Sequence, residues 1–95
     1  MLCYNAKRYK EAIENYLKAD NEVIAYHGAS STYRGSIQRG LAYAYVEIGD
    51  YSKALEHATL AYNIFKKNLP EENQAVAAAK EMVILLSNAL KQTKQ

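Results

Sequence analysis

Residues 37–65 read IQRGLAYAYVEIGDYSKALEHATLAYNIF, and this stretch decides the fold. Ile37, Leu41, Ala44, Tyr45 and Ile48 recur at intervals that fall on one side of an α-helix. Gly49 follows as a stop, because glycine enters the left-handed backbone region without a Cβ clash. Asp50 is then placed to cap a second helix, whose stripe is Tyr51, Ala54, Leu55, Ala58, Ala61, Tyr62 and Phe65. Lys66 and Lys67 lie in its last turn, where cations suit the carbonyl end of the helix dipole. The stretch is a helical hairpin.

The same reading extends in both directions. Upstream, Tyr9, Ala12, Ile13, Tyr16, Leu17, Val23 and Ile24 form one apolar face, with Lys10, Glu11, Glu14 and Lys18 opposite and Gly28 as the stop. Ser30, Ser31 and Thr32 offer caps for the next helix. Downstream, Pro70 starts a helix without needing an amide donor, and Glu71 and Glu72 favour the same end. Its stripe is Ala75, Ala79, Met82, Val83, Leu86 and Leu90. The spacing predicts helices over 8–26, 31–48, 51–68 and 71–92, and therefore an all-α chain.

Composition bounds the rest. Ninety-five residues, 49% hydrophobic and 23% charged, make one small folded domain and exclude general disorder. No run approaches the roughly 20 apolar residues of a membrane span, so no membrane insertion is expected. A net charge of +2 does not by itself predict nucleic-acid binding. The single cysteine, Cys3, excludes an internal disulfide and fits a reducing compartment.

The helices repeat. Shifted by 42 positions, Tyr9, Ala12, Glu14, Ala19 and Asn21 fall on Tyr51, Ala54, Glu56, Ala61 and Asn63, and Ile13 falls on Leu55. A repeat of two antiparallel helices implies an α-solenoid, in which each unit buries its face only against its neighbours. Leu41, Ala42, Tyr45, Gly49-Asp50-Tyr51, Ala54-Leu55 and Ala61 resemble the tetratricopeptide pattern in type and spacing. The resemblance implies a right-handed stack, with small residues at Ala42, Ala54 and Ala61 letting helix axes approach. Leu41, Tyr45 and Tyr51 would fill the space between them, and Gly49 would turn the chain. Three positions depart from that pattern: Gln38 replaces an aromatic, Ala58 a large ring and Lys66 a proline.

The 42-residue period exceeds the usual repeat of about 34 and resembles the long-helix branch found in kinesin light chains and in clustered mitochondria proteins. Tyr26-His27-Gly28, the motifs above, 61–67 and the tail motifs Glu71-Glu72-Asn73, Lys80-Glu81, Leu85-Leu86 and Ala89-Leu90 are similar to the last repeats of the clustered mitochondria family. That likeness implies a cytoplasmic setting. It also implies links to mitochondrial distribution and to translation of messenger RNAs for mitochondrial proteins. A kinesin-light-chain-like cargo-binding segment is the alternative.

A complete repeat would place another helix before Arg8. Only Met1 to Ala6 remain of it, so the 8–26 helix is expected to lack half its cover. Leaving about 300 Å² of apolar surface uncovered forfeits roughly 7 kcal/mol. The expected cover is more chain, a second copy through self-association, or a partner, and the segment reads as the C-terminal part of a longer solenoid.

No chemical motif is present. His27 and His57 lack a paired ligand spacing; the first reads as a helix-end cap and the second as surface. Cys3 between Leu2 and Tyr4 reads as apolar filler. Gly35 and Gly40 form no phosphate loop, since no Gly-Lys-Ser/Thr follows. The chain is read as non-enzymatic, with no metal or cofactor.

Binding is the expected role. By the family pattern, the concave surface carries Ser36, Arg39, Tyr43, Val46 and Glu47 from one helix and Ala78, Glu81, Leu85 and Asn88 from the next equivalent one. This mixture suits a protein or peptide segment. It does not suit the carboxylate clamp of the chaperone-binding members, because Tyr43 stands at the clamp's asparagine and Glu81 at one of its bases. RNA is the rival partner, with Arg34, Arg39 and Lys80 beside Tyr33 and Tyr43 for stacking. A purely architectural array end is the third reading.

Overall fold

The computed structural model describes residues 6–93. Four helices follow in order: α1 (Ala6–His27), α2 (Thr32–Glu47), α3 (Tyr51–Asn68) and α4 (Gln74–Thr93). Among the described residues there is no strand. Each helix packs on the next in sequence: α1 on α2, α2 on α3, α3 on α4. The body measures 37 × 27 × 23 Å, a row of helices rather than a closed bundle. This is an all-α helical repeat of antiparallel pairs.

The turns follow from single residues. Gly28 and Gly49 take φ of +91° and +84°, which side-chain-bearing residues rarely adopt. At Gly49 the helix end closes on itself: the amide of Gly49 donates to Val46 O (3.0 Å) and that of Asp50 to Tyr45 O (2.9 Å). Asp50 Oδ1 then accepts from the Lys53 amide at 3.2 Å, so one residue finishes α2 and opens α3. Ser31 caps α2 in the same way, accepting from the Arg34 amide at 3.2 Å.

The fourth helix begins later than the sequence suggested. Leu69 is extended, as residues before proline prefer. Pro70 opens a turn instead of the helix, and the Asn73 amide closes it onto Pro70 O at 2.9 Å. Asn73 Oδ1 accepts from the Ala75 amide at 2.8 Å, which makes Asn73 the cap and Gln74 the first helical residue.

The core runs as a chain of three clusters. Ile13 of α1 meets Leu41 and Ala44 of α2. Ala42 meets Ala54 and Ala58 of α3 and Leu86 of α4. Ala61 and Phe65 of α3 meet Val76 and Ala79 of α4. Leu41, Ala42, Ala54, Ala58 and Ala61 are all fully buried. Alanine is the reason the axes sit close, since any longer side chain on α3 would push α2 or α4 outward. Tyr45 is half-buried, whereas Tyr51, read as a space filler, lies exposed on the first turn of α3.

Two glycines set the closest approaches. A Cβ on Gly35 would fall 2.8 Å from Phe65 Cε1, and one on Gly40 would fall 2.6 Å from Tyr16 Cζ. Each ring therefore presses an edge close against bare backbone of α2.

The α1 stripe is only partly covered. Of its large apolar residues Ile13 alone is buried, while Tyr16, Leu17 and Ile24 are 37%, 42% and 38% exposed. This is the partial cover expected for the 8–26 helix: among the described helices α1 packs chiefly on α2. Leu2, Cys3 and Tyr4 lie outside the described residues.

Candidate functional site

Helices α2 and α4 both lie against α3, and an open groove of about 380 Å³ runs between them. Tyr43 and Val46 of α2 form one wall; Ala78, Glu81, Met82, Leu85 and Leu86 of α4 form the other. Behind these walls, fully buried Ala54 and Ala58 of α3 pack against Val46, Met82 and Leu86. The groove exists because those alanines hold two larger helices apart by little more than a backbone.

Five of the nine residues mapped to the concave surface meet here: Tyr43, Val46, Ala78, Glu81 and Leu85. Ser36, Arg39, Glu47 and Asn88 do not line it. Helical rise explains this for Ser36, which lies about 10 Å from Tyr43 along the α2 axis. Met82 and Leu86, assigned by periodicity to the core, also reach the groove because each is large enough to touch α3 and the groove together.

The groove is apolar with one charge. Tyr43 and Leu85 are 54% and 62% exposed, a high value for residues of this size on packed helices. Glu81 is the lone ionisable carboxylate on the walls, and it pairs with no cation among the described residues.

A second depression, of about 360 Å³, lies between α3 and the start of α4, lined by Tyr62, Lys66, Glu71, Val76, Ala77 and Lys80. Lys66 sits over the Tyr62 ring, its Nζ 5.6 Å from the centroid.

Polar pairs pin α2 to both neighbours. Arg34 grips Asp20 of α1 with two hydrogen bonds, Nε to Oδ1 at 2.8 Å and Nη2 to Oδ2 at 3.3 Å, and its Nη1 donates to Ala29 O at 3.2 Å. One turn later Gln38, fully buried, bonds His57 of α3 at 2.6 Å. The His57 ring stacks on Tyr45 at 5.4 Å and 6°. His57 is thus half-buried, not a surface residue, and burial above all lowers its pKa from the ordinary 6.5. Periodicity could have found it: Ala54, His57, Ala61 and Ile64 share one helical face.

Two further expectations are corrected by these contacts. Arg34 is committed to Asp20 and Ala29, which removes it from the basic set proposed for RNA. His27 does not cap a carbonyl; the Gly28 amide does that work toward Ile24 O, and the His27 ring lies 4.7 Å from that of Tyr33. No cluster of histidine, cysteine and carboxylates with metal-binding geometry occurs among the described residues. None of the described helices is long and apolar enough to cross a membrane.

Comparison with known proteins adds one finding. A family model described as tetratricopeptide repeat matches residues 1–67, a span that takes in α1, α2 and all of α3 but Asn68. No curated protein and no solved structure matches the chain.

Proposed function

The chain belongs to the tetratricopeptide repeat family, and on that premise we propose that it docks a partner protein by taking an apolar peptide segment into the groove between α2 and α4. Repeats of this family generally bind protein partners and are typically not enzymes. The observation that carries the reading is the exposure of Tyr43 and Leu85 on facing walls of one depression. An aromatic and a leucine left half in water, with fixed neighbours behind them, are the kind of anchors that helical or extended peptides use.

The test is selection of a randomised peptide library, displayed on phage, on the intact chain. Peptides that bind should be lost on Tyr43→Ala and on Leu85→Ser, both surface changes that leave the circular dichroism spectrum intact. Peptides that survive both substitutions contradict the reading.

A second reading concerns α1. The exposure of Tyr16, Leu17 and Ile24 favours coverage of that face by self-association or by further repeats. Light scattering decides it for self-association: a stable dilute monomer with cooperative unfolding argues against a second copy. Placement at the end of a clustered mitochondria array, with the cytoplasmic role that implies, rests on the motif resemblance alone. Its test is whether the chain, attached to such an array lacking its final repeats, restores mitochondrial distribution.

A further inference from the structure

We infer that the α2–α4 groove selects a basic peptide segment, one that carries a lysine or arginine beside an apolar anchor, and rejects acidic ones. This rests on the docking reading above and adds the charge of the ligand to it. Glu81 is the one charge on the walls, and every other wall residue is apolar or a phenol. No cation among the described residues neutralises Glu81. Arg39 and Glu47 flank Tyr43 one turn to either side on α2, carry opposite signs and stand off the lining.

The Glu81 side chain is solvent-exposed on a wall of otherwise apolar side chains, so it has few competing partners there. When a ligand covers Leu85, one turn further along α4, water is displaced from the side of Glu81 that faces the groove. The interaction between Glu81 and a ligand cation strengthens as the dielectric falls, and a ligand carboxylate is repelled for the same reason. The same charge argues against a second copy as occupant. A two-fold pairing of this groove with itself would bring two Glu81 carboxylates into one interface whose walls supply no cation. A segment of opposite charge from another protein fits better.

The experiment reads the charge bias of peptides selected on the intact chain from the phage-displayed library, keeping those whose binding is lost on Leu85→Ser. The expected pool is enriched in lysine and arginine and depleted in aspartate and glutamate. Synthetic copies with one lysine changed to glutamate should bind about fivefold more weakly, and the difference should shrink with added salt. Glu81→Gln should remove the preference, and Glu81→Lys should reverse it. A pool that depends on Leu85 but shows no charge bias, or keeps its bias in Glu81→Lys, overturns the inference and leaves groove docking standing. A pool indifferent to Leu85 overturns both.

Discussion

His57 Nδ1 donates to Gln38 Oε1 across 2.6 Å, joining α3 to α2 through the one fully buried polar side chain of the described core. An amide oxygen only accepts, so the imidazole carries its proton on Nδ1 in this pair. Tyr45 stacked on the face of the ring fixes its plane. The pair replaces an aromatic contact with a directional one and so sets the register between the two helices. Gln38→Leu keeps the volume and removes the acceptor. The buried N–H then goes unpaired, and the expected loss is about 1–3 kcal/mol in urea unfolding.

The same histidine makes stability depend on pH. Its pKa in the fold lies below the ordinary 6.5, chiefly from burial, so the unfolded chain binds the proton more readily. The stabilisation from neutral His57 is complete above 6.5 and is lost as pH falls from there through the lowered value. The melting midpoint should therefore fall between pH 7.5 and pH 5.5 more steeply in the natural chain than in His57→Gln. Parallel curves for the two proteins would contradict the assignment.

Much of this architecture is legible in the sequence, and the parts that are not share a cause. The Gly49-Asp50 junction, the α2 and α3 stripes and the 42-residue repeat rest on spacing within one helix or on a local turn rule, and both are visible in a string of residues. Gln38 and His57 are 19 positions apart, and Asp20 and Arg34 are 14 apart. Neither pair has a spacing that marks contact, because each forms only once two helices have docked. Read singly, Gln38 is a departure from an aromatic consensus, and the face that His57 shares with Ala54, Ala61 and Ile64 does not name its partner. Pro70 misled for a different reason: proline is as much at home in a turn as in a first helical turn, and Asn73 decides between them. The groove was partly visible, because α2 and α4 each place their exposed residues by period, but which five converge depends on how far each helix slides along α3.

The two helical glycines should respond differently to alanine. Alanine at either position gains helix propensity of about 1 kcal/mol. At Gly40 the obstructing group is the far end of Tyr16, a ring with solvent beside it, so it can swing away. At Gly35 the obstruction is Phe65, which is 3% exposed and has no room. Gly35→Ala should be destabilising by about 1–3 kcal/mol, and Gly40→Ala should be near neutral. Chemical denaturation of both variants checks the order.

The Asp20–Arg34 clasp is a structural contact whose loss costs stability. Its side chains are 11% and 18% exposed, and the guanidinium also holds the carbonyl of Ala29 in the turn after α1. Asp20→Asn should cost about 1–3 kcal/mol and should loosen the α1–α2 turn. Faster amide exchange at Ala29 to Ser31, with α3 and α4 unchanged, is the expected signature.

Crowding the buried alanines of α3 tests the close approach on which the groove depends. Ala54 is fully buried between α2 and α4. Ala54→Phe should cost about 1–3 kcal/mol by overpacking. An unchanged melting midpoint would count against the packing register.

The most direct measurement is a methyl NMR titration of the intact chain with the tightest peptide selected on it. The methyl signals of Val46, Met82, Leu85 and Leu86 should shift together with one dissociation constant, while those of Leu17 and Ile24 on α1 stay in place. Shifts confined to Leu17 and Ile24, with the groove methyls silent, would contradict docking between α2 and α4.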